Sequence, residues 1–104
     1  MNCSSINVIY LLKCAGCAKR YVGQTSIALR LRINLHKNQI QHDRYRILDV
    51  SKHIWQCSNR LDPKFYVMPL IKIKKDNPAI RNALEYIIIQ RLKPELNCSI
   101  NIVA

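Results

Sequence analysis

The sequence predicts an α+β fold, in which a small, three-stranded and largely antiparallel sheet is flanked by helices. Two observations lead to this prediction. Short segments rich in β-branched and aromatic residues are bounded by turn residues, which is typical of strands. Other segments carry apolar residues at helical spacing behind recognisable capping residues. Along the chain they give the order strand, strand, helix, short helix, strand, helix.

Two strands are predicted near the N-terminus, over residues 7–14 and 19–24, with Gly16 in the tight connection of a hairpin. A third strand is predicted over residues 64–73. Pro69 lies inside it and cannot donate a hydrogen bond to a sheet ladder. We therefore expect an edge position or a bulge at this proline.

The first long helix is predicted to start after an N-cap at Ser26 and to run to about Gln39. Residues 41–46 are polar and basic, which favours a loop, and residues 51–56 are predicted to form a short helix. A repeat of 3.6 residues puts one apolar face of the first helix toward the core. The residues expected on that face are Ala28, Leu31 and Leu35.

The last helix has the clearest start, because Asn77 is a good N-cap and Pro78 fits the first helical position. It is expected to end before Pro94. The apolar residues predicted to share its inward face are Ile80, Leu84, Ile87, Ile88 and Leu92.

The length of 104 residues supports one domain over residues 1–104. No apolar run approaches the roughly 18 residues that a membrane span needs. The N-terminus shows no basic patch followed by a long apolar stretch, so we expect an intracellular protein that does not enter a membrane.

The charge is strongly one-sided, with 17 Lys and Arg against 6 Asp and Glu and a formal net charge of +11. A small protein with this excess attracts polyanions. Nucleic acid is the expected partner, and an acidic membrane surface is the weaker alternative. Charge alone does not distinguish cutting a nucleic acid from holding it.

Several residues have the chemistry of a catalytic site. Tyr10 and Tyr21 each lie in one strand of the hairpin, and Gly23 follows the second tyrosine. Arg32 and His36 are one turn apart on the first long helix, so they share a face at the margin of the core. Packed tyrosines, an arginine lying over the sheet and a hydrogen-bonded histidine are the structural alternative.

Glu85 stands in the middle of the last helix beside Ile88 and Ile89, where a carboxylate needs a compensating positive charge. Arg81 could supply it as an ordinary ion pair, and a bound divalent cation is the functional alternative. Asn97 lies twelve residues further along, and its side-chain amide could hold a loop.

These residues resemble the GIY-YIG nuclease family in identity, order and spacing. The resemblance covers about residues 7–97, and Val8 stands where the name motif has glycine. The residues that carry it are Val8-Ile9-Tyr10, Tyr21-Val22-Gly23, Arg32 and His36, Glu85 and Asn97. The resemblance implies hydrolysis of phosphodiester bonds in DNA with one divalent cation, Mg²⁺ being expected, with RNA left open as substrate.

The resemblance also implies a role for each residue. Glu85 would hold the metal, and Arg32 would stabilise the charge of the transition state. Tyr10 is favoured as general base, with Tyr21 positioning the water and His36 assisting proton transfer; nearby cations would have to lower the phenol pKa for this. Asn97 would support the site without taking part in the chemistry.

The cysteines form an odd set of five, which favours free thiols or a metal site over a disulfide framework. Cys14 and Cys17 are spaced to share an ion in the hairpin turn, and His53 and Cys57 share a helix face. The chain resembles a GIY-YIG subgroup, associated with Penelope-like retroelements, in which two such cysteines pair with two downstream histidines. A structural Zn²⁺ is the implied ligand, with Cys57 replacing one histidine; reduced thiols and an ordinary histidine are the alternative.

Two other classes of function stay open. A zinc-stapled module could bind nucleic acid without cutting it, and an interaction protein could use its basic surface on a membrane or an acidic protein. Oligomeric state is open, and target choice would come from a further domain, a partner protein or dimerisation. Cys3 and Cys98 are expected to be buried, Trp55 to belong to the core, and His42 is a weaker candidate for a substrate contact.

Overall fold

The computed structural model describes residue 2 and residues 4–41, 49–57 and 64–97. His42, Cys3 and Cys98 lie outside these residues, as does most of the loop predicted over residues 41–46. The elements follow the predicted order and confirm the α+β fold. They are β1 (Val8–Cys14), β2 (Arg20–Thr25), α1 (Leu29–Gln41), α2 (Asp49–Cys57), β3 (Phe65–Lys72), α3 (Pro78–Leu92) and a short 3₁₀ helix (Glu95–Asn97).

The sheet is antiparallel, with strand order β2-β1-β3, so that β1 is central. Tyr10 on β1 lies opposite Gly23 of β2 on one side and opposite Pro69 of β3 on the other. The register between β1 and β3 shifts at Ile9 and Tyr10, next to this proline. Both expectations for Pro69 are confirmed, because β3 is an edge strand and the ladder is irregular there.

The hairpin between β1 and β2 closes in a compact turn. The backbone N–H of Ala18 donates to the carbonyl of Cys14 at 2.9 Å, and that of Cys14 donates to the carbonyl of Lys19 at 2.9 Å. Ala18 has a positive φ of 64°, which lies in the left-handed region. This turn brings Cys14 and Cys17 next to His53 and Cys57 of α2.

The core lies between one face of the sheet and the helices α1 and α2. The inward face of β1 supplies alternate residues, as a strand with one buried face requires. Trp55 is partly buried against this cluster, as expected. The buried members are Val8, Tyr10, Leu12, Cys14, Leu29, Ile40, Val50 and Ile54.

The inward face of α1 differs from the prediction. Leu31 and Leu35 are 42% and 43% exposed, whereas His36 is only 3% exposed. The core-facing residues are spaced 4, 3 and 4 apart, at Leu29, Ile33, His36 and Ile40. The prediction was wrong because leucine is more hydrophobic than histidine, yet His36 finds a hydrogen-bond partner inside the core and can be buried at little cost. The helix also starts later than expected and includes Gln41.

The ends of α3 agree with the prediction, but its inward face is only partly right. The side chain of Asn77 accepts hydrogen bonds from the backbone N–H groups of Ala79 and Ile80, and Pro78 follows the cap. Ile80 and Ile87 are 45% and 46% exposed, so they do not belong to the inward face. Arg81 is buried on the inward face instead, because three acceptors compensate its charge.

Within the described parts of the chain, no helix combines the length and the apolar character that crossing a bilayer requires.

Candidate active site and cysteine cluster

Tyr10, His36 and Arg32 form one hydrogen-bonded group at the interface of β1 and α1. The hydroxyl of Tyr10 lies 2.7 Å from Nε2 of His36, and both side chains are buried. Nε of Arg32 donates to the same hydroxyl at 3.3 Å. The helix spacing of Arg32 and His36 therefore brings both side chains to one phenol, as their shared face predicted.

Gly23 makes room for the two tyrosines. A Cβ atom at this position would lie 2.5 Å from the hydroxyl of Tyr10 and 2.9 Å from Cε1 of Tyr21. The ring of Tyr21 packs edge-on to His36, with 6.2 Å between ring centroids. Only a residue without a side chain allows the two phenols to meet the imidazole here.

Glu85 lies half-buried on the side of α3 that faces the sheet. Its charge raises the pKa of both Tyr10 and Tyr21, so the carboxylate lies close enough to act on both phenols. Arg81 pairs with Asp76 instead, which rules out the ordinary Arg81–Glu85 ion pair. Among the described residues no cation lies within ion-pair distance of Glu85.

Asn97 fastens the free edge of β2. Its Oδ1 accepts from the backbone N–H of Val22 at 2.9 Å, and its Nδ2 donates to the carbonyl of Val22 at 3.1 Å. Val22 separates Tyr21 from Gly23, so this pair of bonds holds both motif residues in place. The amide is 2% exposed and acts as a backbone partner in place of a further strand.

A family model described as the GIY-YIG catalytic domain matches residues 6–97. The chain belongs to the GIY-YIG family. Members of this family are endonucleases that use divalent metals. No curated protein and no solved structure gave a match.

Burial sets the protonation states of this GIY-YIG site at neutral pH. Burial raises the pKa of Tyr10 more than the hydrogen bond and charge of Arg32 lower it. Burial raises the pKa of Tyr21 to about 12, and it lowers the pKa of His36 to about 4, with Arg32 acting in the same direction on the imidazole. Arg32 lowers the phenol pKa, as expected, but its effect alone is smaller than that of burial. Both phenols are protonated and the imidazole is neutral.

Burial also raises the pKa of Glu85, while the Gln24 side chain and the charge of Arg32 lower it. Gln24 follows directly after the second motif and was not singled out from the sequence. Its amide lies between Glu85 and Arg81, donating to Asn82 and accepting from Arg81 at 3.1 Å. Its position after a glycine motif gave no indication of these contacts, which depend on where α3 packs.

The cysteine cluster lies at the other end of β1. One ligand atom from each of four residues lies within 4.8 Å of the others, namely those of Cys14, Cys17, His53 and Cys57. Sγ of Cys17 is 3.0 Å from Nε2 of His53. The backbone N–H of Lys19 is the main cause that lowers the pKa of Cys17 to about 7, which favours the thiolate that metals bind. This set could hold a metal ion, and its place in the chain is compatible with the subgroup noted above.

Gly16 has the same function in this cluster as Gly23 has in the active site. A Cβ atom here would lie 2.6 Å from the carbonyl oxygen of Cys57 and 3.1 Å from its Sγ. The hairpin turn can therefore close onto the end of α2 only with glycine at this position. From the sequence, Gly16 was expected only in a tight connection, although the presence of just 2 glycines in the chain could have indicated that each marks a close approach.

Proposed function

We propose that this chain is a metal-dependent endonuclease that hydrolyses phosphodiester bonds in DNA with one divalent cation, residues 1–104 acting as one catalytic domain. The observation that carries the proposal is the Tyr10–His36–Arg32 group next to Glu85, which forms no ion pair with any of the described residues. A protein that only binds nucleic acid needs surface Lys and Arg, but has no use for a half-buried Glu85 beside two phenols.

The residues present fit a magnesium ion. Glu85 offers a carboxylate at a half-buried position where, among the described residues, no ion pair compensates it. Mg²⁺ prefers oxygen ligands and is commonly held by one or two carboxylates, with water and substrate phosphate completing its shell. When bound, the cation would supply charge neutralisation at the scissile phosphate and the leaving oxygen.

The hydrogen bonds support a proton path from water through Tyr10 to His36. In the tautomer of neutral His36 that carries its proton on Nδ1, Nε2 accepts the hydroxyl proton of Tyr10, while Arg32 donates to the phenol oxygen. A water molecule at that oxygen can pass its proton to Tyr10 as the phenol proton moves to the imidazole. Tyr10 then acts as general base without first becoming a free phenolate, which its raised pKa disfavours. Burial also disfavours the imidazolium formed on His36, so the pKa of the water would have to be lowered by a bound cation.

Arg32 and Tyr21 have complementary roles in this proposal. Nε of Arg32 donates to Tyr10, and no described residue accepts from its terminal nitrogens, which would bind the charge that develops on the phosphate. Tyr21 stays protonated, because its pKa is about 12, and serves as a donor that positions the water or the phosphate. Asn97 keeps β2, and with it Tyr21, in register.

The test is nicking of supercoiled plasmid with and without Mg²⁺. We expect Glu85→Gln to lower the rate by at least about 1000-fold and Arg32→Gln by about 100- to 1000-fold. Arg30→Gln is the matched control, since Arg30 is exposed on the same helix and its loss changes the net charge equally. Wild-type rates from folded Glu85→Gln or Arg32→Gln would overturn the mechanism. Salt-sensitive binding without cleavage would select the nucleic-acid-binding module, and an RNA arm of the assay tests the substrate class.

We also propose that the cysteine cluster binds a structural Zn²⁺. Three sulfurs and one imidazole nitrogen are the tetrahedral donor set that zinc prefers in closed structural sites. One zinc per chain in the purified protein is expected, and the Cys17→Ser variant should lose it. A zinc content near zero in freshly purified wild type would contradict this assignment.

A further inference from the structure

Arg81 is a buried arginine that the proposed reaction does not use. Its Nε donates to Oε1 of Gln24 at 3.1 Å, and its Nη1 donates to Oδ1 of Asn7 at 3.2 Å and pairs with Asp76. None of these bonds uses Nη2. Asn7 is itself fixed, because its backbone carbonyl accepts from Ile73 at 2.8 Å. The guanidinium is therefore held by three acceptors, and within the part of the chain that the structure describes no hydrogen bond takes Nη2.

Arg81 lines an open cleft beside the end of β2 and the connection to α1. The lining residues are Gln24, Thr25, Ser26, Ile27, Arg32 and Arg81. Two of these residues are arginines, and most of the others offer an amide or a hydroxyl. Such a lining suits an anion with several oxygen acceptors.

We propose that this cleft binds a second backbone phosphate of the nucleic acid, next to the scissile phosphate in the same strand, with Nη2 of Arg81 as its main donor. This inference rests on the proposed function. Arg32 joins the two places, since it contacts Tyr10 and also lines the cleft. Gln24 joins them as well, because its side chain lies against both Glu85 and Arg81.

A flanking phosphate fits the charges around the cleft. Successive phosphates of one strand follow at about 3.4 Å along the helix axis, so a neighbour of the scissile group must meet the protein close to the reaction centre. Asp76 opposes an anion, but its side chain is 67% exposed and its charge is screened by solvent. The fixed Nη2 donor can bind the phosphate without first losing side-chain freedom.

The experiment uses a DNA duplex whose cleavage position by the full chain has been mapped. Each phosphate flanking that position is replaced, one at a time, by an uncharged methylphosphonate, and cleavage is measured for wild type and Arg81→Gln. We expect one replacement to slow the wild type by about 10-fold. Arg81→Gln should cut unmodified DNA about 10-fold more slowly than wild type, mainly through a higher KM. The same methylphosphonate replacement should slow this variant by less than about a further 2-fold.

Two further variants keep the result interpretable. Arg91→Gln removes an exposed positive charge from the same helix and should keep the full wild-type response to the methylphosphonate. Arg81→Lys keeps the pair with Asp76 if the glutamine variant does not fold, and it should show a weakened response.

The possible outcomes separate this inference from the proposed function. If the losses from Arg81→Gln and from the methylphosphonate multiply independently, or if no flanking replacement slows the wild type, the second phosphate site is wrong while the nuclease stands. Failure of the wild type to cut any DNA with Mg²⁺ would overturn both.

Discussion

The two ends of β1 carry two different kinds of site. Tyr10 and Cys14 point to the same face of this strand and are four residues apart, or about 13 Å. The site around Tyr10 is buried and already joined by hydrogen bonds to His36 and Arg32. The cluster around Cys14 brings together the potential metal-ligand atoms of four residues, two of which, Cys17 and Cys57, are exposed.

Because of this difference, a metal ion would have a different effect at each site. The Tyr10 group keeps its shape through packing and hydrogen bonds, so an ion there would serve the chemistry alone. Cys14 is packed in the core, but the thiols of Cys17 and Cys57 are exposed, so an ion there would hold the hairpin turn against α2. Removing the two metals should therefore produce opposite results.

The largest effect is expected from selective metal removal. Omitting Mg²⁺ should abolish cleavage and leave the melting temperature unchanged, because Glu85 is placed by the packing of α3. Stripping the cysteine cluster with a zinc-selective chelator should lower the melting temperature by more than about 10 °C. Thermal denaturation and plasmid nicking on the same samples check both. A zinc-stripped protein with an unchanged melting temperature would break the comparison.

The next largest effects are expected from substituting alanine for each of the two glycines. Gly23→Ala should slow cleavage by about 100-fold or more, because the added methyl displaces both phenols. Gly16→Ala should instead weaken zinc binding and destabilise the protein by about 1–3 kcal/mol, because the methyl meets the backbone of Cys57.

Each alanine variant is the control for the other. Zinc content should stay normal in Gly23→Ala, and the cleavage rate per folded molecule should stay within about 10-fold of wild type in Gly16→Ala. Equal losses of zinc and of cleavage in both variants would mean that the two sites are not separate units.

A smaller effect is expected on the pH dependence of stability, because the imidazole of His36 is buried. In the unfolded chain His36 binds a proton below about pH 6.5, whereas the folded protein holds its pKa at about 4. Between these values the unfolded state binds more protons, so stability falls as the pH falls from about 6.5 to about 4. The full shift corresponds to about 3 kcal/mol.

Urea denaturation of wild type and His36→Gln at a series of pH values measures this contribution. The zinc ligands titrate in both proteins, so their effect cancels in the difference. The wild type should lose up to about 3 kcal/mol more than the variant on acidification. Parallel pH profiles would contradict the burial of a neutral imidazole in the active site.

The positions of the helices and strands were predicted from the sequence more accurately than the residues that each helix buries. Capping by Asn77 and the irregularity at Pro69 depend on local chemistry, and both were confirmed. The inward face of α1 depends on a contact over 26 residues of chain, between Tyr10 and His36. Local hydrophobicity cannot rank a histidine above a leucine unless that distant partner is known.

The same reasoning explains the candidate sites. The motif residues could be found because their order and spacing are local patterns, and the CxxC pair was visible for the same reason. Gln24 and the partners of Arg81 could not be found, since they depend on how α3 lies against β2. A buried arginine is recognisable only when its three acceptors are known.

The smallest effect tests the face of α1 on which the active site depends. Leu31→Gln should change the free energy of unfolding by less than about 0.5 kcal/mol and leave cleavage unchanged, because Leu31 is 42% exposed. Leu29→Ala on the buried face should cost about 2–5 kcal/mol in the same urea denaturation. If Leu31→Gln were the more costly change, α1 would pack by its predicted face. His36 and Arg32 would then turn away from Tyr10, and the active site would lose the group on which its chemistry is based.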